Sequence, residues 1–422
     1  MSFAAPRGTQ DILPADVRRW QWLEETFRRL CARDGYQEIR TPIFESTELF
    51  SRGVGKDTDI VAKEMYSFTS RGGDALSLRP EGTASVVRAV IQHHLLAHGG
   101  IVKLYYYGPT FRYDRPQKGR YRQFHQVGIE AFGSLGPEID AEIIAFGADL
   151  LEALGIRNAT LELSSVGCPA CRPRHREAMR NAFAGARAEL CPDCQRRYET
   201  NPLRILDCKV ERCRELTAAA PMMLDFLCDE CREHLRGVEE CARALGVAYT
   251  IDPKIVRGLD YYTRTAFEFI SSALGAQNTV LGGGRYDGLV AELGGPPTPG
   301  IGFAAGIERL LLAAGTEASI PQPPGSVFIV TVGAAARRAG FALAARLRHA
   351  GIPATIDYPA HSVKAQMREA NRRGAWFAVV LGDDELAGGT AALRDMRSGA
   401  EERMPIARLE THLRPSYPAG RE

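Results

Sequence analysis

Two strand-like segments, Lys103–Tyr107 and Gln123–Phe132, bracket a strongly basic loop, and this arrangement constrains the fold more than any other stretch. The second segment alternates. Phe124, Gln126, Gly128 and Glu130 fall on one face and His125, Val127, Ile129 and Ala131 on the other, the period of two expected of a half-buried strand. The Val/Ile face must find a core. The opposite face sets an aromatic, an amide and a carboxylate in a row, which fits either a solvated surface or the floor of a polar site. The loop RYDRPQKGRYR (112–122) carries Arg112, Arg115, Lys118, Arg120 and Arg122 against Asp114 alone. Such a run is commonly a solvated loop. A hairpin would nevertheless bring Arg112 near the polar face, and the planar guanidinium fork suits phosphate oxygens.

Around this hairpin the chain divides by pattern. Pro14–Arg33 is predicted as an amphipathic helix, with Trp20, Leu23, Phe27 and Leu30 at helical spacing, Pro14 at its start and Gly35 just beyond its end. Tyr36–Glu45 is strand-like but broken by Pro42, which points to an edge or a bend. Residues 82–97 read as a helix, and Pro137–Leu154 as another closed by Gly155. At Cys168 the composition changes to cysteine and arginine with few aromatics, as in an inserted module. Strand character returns at Tyr261–Ile270 and Asn278–Leu281, followed by glycines and a helix ending near Ala314.

The prolines of EASIPQPPG (317–325) mark a linker. Beyond it VFIVTVG (327–333), Ala335–Ala350, IPATIDY (352–358), a helix through Arg373 and AWFAVVLG (375–382) alternate strand and helix. That order predicts a compact, mildly basic α/β domain with a largely parallel sheet. It has no GxGxxG or Walker loop at its strand ends, so nucleotide is not expected there. The expected division is a core in two parts, 1–167 and 241–316, an insertion over 168–240, a linker over 317–325 and a terminal domain over 326–422.

Bulk properties narrow the class. A length of 422 residues favours two or three domains, and a net charge of +2 gives no global field for nucleic acid. The opening MSFAAPRGTQDILP lacks an apolar leader core, and no stretch approaches the roughly 20 apolar residues of a membrane span. A cytoplasmic protein without a membrane partner is expected. There, ten cysteines would not be disulfides, because that compartment keeps thiols reduced.

Further constellations follow the hairpin. VRGLDYYTRTAFE (256–268) sets Arg257 before a glycine and two tyrosines leading into a strand. LGGGRYDGL (281–289) holds three successive glycines, which either turn the chain or let backbone approach a ligand closely. In GIGFAAGIERLL (300–311) Arg309 falls among small and apolar residues and needs an anionic partner, either Glu308 or a ligand.

Singly each is weak; their order is not. RPEGT (79–83), the Arg112–Glu130 hairpin, RGLDYY (257–262), GGGRYDGL (282–289) and GFAAGIER (302–309) closely resemble the histidyl-tRNA synthetases, a class II aminoacyl-tRNA synthetase family. The resemblance spans essentially the whole chain. RGLDYY with GGGRYDGL is its most specific part.

The resemblance implies an α+β class II catalytic core, an antiparallel sheet flanked by helices, with a Cys-rich insertion and a C-terminal α/β anticodon-binding domain. It implies a homodimer, with residues 35–66 at the interface, and the substrates L-histidine, ATP with Mg²⁺, and tRNA(His). Arg112 and Arg257 would flank the α-phosphate as the catalytic pair. Arg120 and Arg309 would hold the outer phosphates, and Phe124 and Arg309 would sandwich adenine. Glu81, Thr83 and Gln126 would meet the histidine ammonium. Glu130 and Tyr262 would bond the imidazole nitrogens, with Tyr261 and Tyr286 lining the pocket. Arg115 and Gln117 would meet the tRNA acceptor end. A non-charging paralogue, the regulatory subunit of ATP phosphoribosyltransferase, shares this core but typically lacks the terminal domain and the histidine motifs, both intact here.

Cys168/Cys171, Cys191/Cys194 and Cys228/Cys231 form three CxxC pairs, and Cys208 and Cys213 complete eight. Eight thiols suit two four-cysteine structural zinc sites, the alternative being unligated buried thiols. The resemblance does not itself supply a metal here.

Overall fold

Helix α1 (Pro14–Arg33) forms where its periodicity places it and buries Trp20, Leu23, Phe27 and Leu30. The computed structural model describes residues 3–56, 58–117, 119–274, 278–315, 320, 324–359 and 361–417. The chain makes two compact units, Met1–Ile320 and Pro321–Glu422. Most of the expected linker, and Lys118 in the basic loop, lie outside the described residues.

After α1 the predicted strand around Pro42 is two strands. β1 (Gln37–Glu38) joins the main sheet, whereas β2 (Phe44–Ser46) joins a small three-stranded sheet. A proline has no amide to donate to a ladder, so the chain changes sheets there. Helix α2 (Thr47–Gly53) follows, and β3 (Ser67–Thr69) and β4 (Ala75–Leu78) complete the small sheet in the order β2-β4-β3. Helix α3 (Thr83–Gln92) ends earlier than the 82–97 pattern suggests, with His94 held at φ 54° just past its end.

β5 (Val102–Phe111) and β6 (Gln123–Phe132) are the hairpin, paired from Val102↔Phe132 to Phe111↔Gln123. β5 continues through Gly108 and Pro109, beyond the apolar run that marked it in sequence. Helix α4 (Pro137–Ala153) and β7 (Ala159–Ser165) lead into the insertion, whose main helices are α5 (Arg172–Phe183), α6 (Pro192–Thr200), α7 (Glu211–Leu216) and α8 (Asp229–Ala244). The core resumes with β8 (Thr250–Ile251), β9 (Thr263–Ser271), β10 (Thr279–Arg285), α9 (Leu289–Glu292), β11 (Gly300–Gly306) and α10 (Ile307–Ala314).

The main sheet runs β1-β5-β6-β11-β10-β9-β7-β8. Its six inner strands are antiparallel to one another, and the short outer strands pair parallel. One face is apolar: Val127 and Ile129 of β6, Phe303 of β11 and Phe267 of β9 pack against Phe27 of α1, Phe146 and Leu150 of α4 and Val238 of α8. Each such fully buried side chain contributes about 2 kcal/mol. This is the core that the Val/Ile face of β6 demands, and it turns Phe124, Gln126 and Glu130 to the other side.

Beneath the sheet's end a polar knot fixes α4. Asp140 and Arg285 form an ion pair with neither side chain exposed, and Asp140 also accepts from His234 of α8 at 2.8 Å. Burial opposes the Asp140 charge, but the hydrogen bond from His234 and the Arg285 guanidinium outweigh it and hold its pKa below the usual value. Removing either partner would strand a buried charge, a cost of about 3–5 kcal/mol.

The second unit has the predicted alternation: β12 (Val327–Thr331), α11 (Ala334–His349), β13 (Ala354–Ile356), α12 (Val363–Arg372) and β14 (Phe377–Leu381). β13, β12 and β14 are parallel, and β15 (Thr390–Asp395) and β16 (Glu401–Pro405) extend the sheet antiparallel.

Candidate active site

The polar face of β6 opens into a cavity of about 980 Å³. Glu81, Thr83, Arg112, Arg120, Phe124, Gln126, Glu130, Arg257, Tyr261, Tyr262, Tyr286 and Arg309 all line it. Arg115 and Gln117 do not. Arg115 is exposed on the loop, and Gln117 lines a neighbouring groove with Gly119, Lys209 and Arg214.

One end is cationic. Arg112 is steered by its Nε, which donates to Pro80 O at 2.9 Å, and its guanidinium lies 5.4 Å from the Phe124 ring centre. Arg257 pairs with Glu268 and lies 5.4 Å from the Tyr262 ring centre. Arg120 pairs with Asp114 in its own loop. Burial pushes the Arg309 pKa down, and the like charge of Arg120 adds to it. Cations that are both desolvated and mutually repelling gain by receiving an anion. Glu308, one of the partners considered for Arg309, instead accepts from the His125 amide at 3.0 Å and contacts His125 Nδ1 at 3.0 Å.

The three glycines 282–284 do not turn the chain; they are strand residues of β10. A Cβ at Gly282 would stand 2.6 Å from Arg257 Nη1, and one at Gly283 2.3 Å from Gly302 O. The glycines are there for close approach: Gly282 leaves room for the Arg257 guanidinium, and Gly283 and Gly284 let neighbouring backbone and rings come close.

The other end is enclosed. Glu130 is 1% exposed and Glu81 4%. Glu81 accepts from the Thr83 and Ala84 amides at 2.7 and 2.8 Å, capping α3 and fixing its carboxylate. Glu130 accepts from Thr83 Oγ1 at 2.7 Å, from Tyr106 OH at 3.3 Å and from Tyr286 OH. Burial lifts its pKa to about 8, with the Glu81 charge adding to burial and the three hydroxyls opposing it. The Tyr261 ring stands 4.8 Å from that of Tyr262 and 5.7 Å from that of Tyr286. Gln126 Oε1 is buried without a hydrogen-bond partner among the described residues, an acceptor facing a polar cavity.

Sequence reasoning missed Tyr106 and Glu268. The hairpin register places Tyr106 opposite Gly128, and a Cβ at Gly128 would stand 2.5 Å from the Tyr106 ring. A glycine facing an aromatic on the Glu130 side of the hairpin was the available signal. Glu268 also had one: alternation along β9 puts it between inward-packed Phe267 and Phe269, on the opposite face.

An antiparallel sheet flanked by helices, with arginines converging on one cleft from a hairpin loop, a segment before β9 and the last helix, defines a class II aminoacyl-tRNA synthetase core. Comparison with known proteins narrows the class. A family model described as histidyl-tRNA synthetase matches residues 8–171 and 193–310, and one described as anticodon binding domain matches 326–415. The chain is 54% identical over 407 residues to a histidine–tRNA ligase of Desulforamulus reducens, covering 96% of this chain and 97% of that one. It is 52% identical over 422 residues to that of Moorella thermoacetica, covering 100% of both. Among solved structures, apo S. aureus histidyl-tRNA synthetase matches with a TM-score of 0.83 at 41% identity, over 97% of this chain and 99% of that one. The chain belongs to the histidyl-tRNA synthetase family.

Proposed function

We propose that the chain is a histidine–tRNA ligase, which activates L-histidine with ATP and transfers it to the 3′ end of tRNA(His). The observation that carries this reading is one cavity with two unlike ends: a buried carboxyl held by three hydroxyls, and a cluster of desolvated arginines.

In activation the histidine carboxylate attacks the α-phosphorus of ATP, and pyrophosphate leaves. The nucleophile is already an anion, so no general base is needed. The obstacle is the approach of two anions, and fixed positive charge removes it. Arg112 and Arg257 flank the α-phosphate in this reading, each aimed by a second contact, Pro80 O and Glu268 respectively. Arg120 and Arg309 hold the outer phosphates, and adenine lies between Phe124 and Arg309. Glu162, Asp252 and Glu268 line the same cavity, and burial, followed by repulsion from the other two carboxylates, raises the Glu162 pKa. Mg²⁺ arriving with ATP would neutralise the outer phosphates further, beside Arg120 and Arg309.

For histidine, Gln126 Oε1 is an unmet acceptor for the ammonium, beside Glu81 and Thr83. Glu130 and Tyr262 read the imidazole, with Tyr261 and Tyr286 as walls. A carboxyl that titrates near neutrality can donate to an imidazole nitrogen or accept from its N–H. An amino acid without those nitrogens would leave buried polar groups unpaired, a discrimination of about 10⁴-fold.

The remaining roles follow the same reading. Residues 168–240 are an insertion between the two parts of the core, its cysteines holding structural zinc, and 326–422 binds the anticodon. Arg115 and Gln117 meet the acceptor end; the groove lined by Gln117 also holds Lys209, Arg214 and Lys254, which suits a phosphate backbone. A homodimer would cover the small sheet, where Ile43, Phe44 and Phe68 are 42%, 49% and 46% exposed. No helix of the described residues is long and apolar enough to cross a membrane. A cytoplasmic location goes with the reading as a histidine–tRNA ligase.

Histidine-dependent exchange of pyrophosphate into ATP tests the assignment. Exchange with histidine alone is expected. Its absence would favour the non-charging paralogue, and equal exchange with another amino acid would sink the specificity. Arg257→Ala should lower the rate by about 10²–10³-fold while the chain stays folded.

A further inference from the structure

The insertion carries eight thiols that the proposed reaction does not use. They gather into two groups, Cys168, Cys171, Cys228 and Cys231, and Cys191, Cys194, Cys208 and Cys213, each with all sulfurs within 4.8 Å of one another. None is in a disulfide. The Cys168–Cys171, Cys168–Cys228 and Cys191–Cys208 sulfurs stand 3.6, 3.8 and 3.8 Å apart. Four thiolates at about 2.3 Å from one tetrahedral zinc would be about 3.8 Å apart. Backbone amides also point at the sulfurs. The Cys191 N–H donates to Cys213 Sγ and the Cys228 N–H to Cys171 Sγ, both at 3.2 Å, the outer support that thiolate ligands receive.

The two groups occupy different places. Cys168 and Cys171 follow β7, and Cys228 and Cys231 sit where α8 begins, so the first group closes the neck through which the chain enters and leaves the insertion. The second lies inside that loop and reaches the cleft. Cys191 and Cys208 line the large cavity together with Leu206, Asp207, Lys209 and Val210. Leu206, Cys208 and Lys209 also line the neighbouring groove that holds Gln117. Residues 206–210 belong to no helix or strand, so no backbone ladder fixes this partition. The apolar packing around the inner cysteines is small, built on Met179, Phe183, Leu190 and Ile205. Folded elements with so little core ordinarily need a covalent or metal staple.

We propose that each group binds a structural zinc ion, and that the inner ion holds residues 206–210 as a wall between the nucleotide cleft and the adjoining groove. Four thiolates leave zinc no open position, so the ion shapes the site and does no chemistry. The wall role rests on reading the cleft as the ATP site; the two metal sites do not.

Plasma mass spectrometry of the full chain should count two zinc ions, and fewer than two overturns the pair of sites. Cys213 is the variant to make, because it ligates without lining the cavity. Cys213→Ser should keep one zinc and raise the KM for ATP in histidine-dependent exchange by at least about tenfold, since misplacement by about 1 Å can cost 10²-fold. Cys213→His should restore both zinc and KM, and Cys241→Ser, outside both groups, should change neither. A one-zinc Cys213→Ser chain with unchanged KM overturns the wall role. If that variant does not fold, chelator-driven zinc release from the wild-type chain decides. ATP should slow one ion and not the other, and equal release with and without ATP overturns the wall role. Two zinc ions with no exchange would overturn the ATP reading and the wall with it, leaving the metal sites standing.

Discussion

Glu130 sits almost wholly buried beside Glu81 with a pKa of about 8, against 4.5 for an ordinary glutamate. Its folded form therefore binds the proton more tightly than the unfolded chain does. The stability this contributes is complete below about pH 4.5 and is lost as pH rises through 8, at about 1.4 kcal/mol per pH unit. Glu130→Gln removes the titration. Urea unfolding between pH 5 and 8 should show the variant gaining on the wild type with rising pH, and parallel curves would refute the shift. A second residue-scale test uses Gly282, whose added Cβ would press on the Arg257 guanidinium. Gly282→Ala should leave the sheet intact by circular dichroism yet cut exchange by about 10²-fold. Alternation along β6 is enough to put Glu130 on the polar face. It cannot show the hydroxyls around it, because Thr83 and Tyr286 lie 47 and 156 residues away in sequence.

Helices and strands with a clean apolar period were legible. α1 and β6 begin and end where their patterns do, because each must bury one continuous stripe. Most of the insertion was not legible this way: α8 buries Cys231, His234, Val238 and Ala242 at helical spacing, but the shorter helices before it pack through a small apolar cluster and scattered cysteines. The insertion is also clamped to the core from outside. Asp59 accepts from Arg197 at 2.6 Å with Arg204 at 3.6 Å, Lys63 meets Asp193 at 2.8 Å, and Asn201 donates to Asp260 at 3.1 Å. The Asp59 charge is disfavoured by burial but held low in pKa by Arg197 and Arg204. Asp59→Asn should loosen the clamp by about 2 kcal/mol. Limited proteolysis would detect it as faster cleavage within 184–216, and an unchanged cleavage rate would show that the clamp carries no load. β15 and β16 escaped the alternation of the second unit because they follow a hairpin logic of their own: β16, at the edge of the sheet, pairs with β15 through the turn at Gly399, where φ is 77°.

At the scale of the molecule, the division at residue 320 separates chemistry from tRNA selection in the proposed function. A chain ending at Ile320 should retain histidine-dependent exchange and lose charging of tRNA; retained charging would remove the anticodon role from the second unit. The exposed Phe44 and Phe68 make the proposed dimer testable too. Replacing both by Glu should halve the mass in sedimentation, and an unaltered mass would place the interface elsewhere. The sequence could assign the two units because a βαβαβ alternation and an antiparallel hairpin demand different sheets. It could not show that β6 and β11 are neighbours, since nothing local joins them. That pairing, with Glu130 opposite Gly302, has a consequence in time. During synthesis the hairpin strands and the first arginines emerge early, but the floor beside Glu130 is missing until β11 leaves the ribosome. Non-local pairing is the slow step of folding. The polar pocket around Glu130 is therefore incomplete in any nascent chain that lacks β11, and in the proposed function such a chain cannot hold the amino acid.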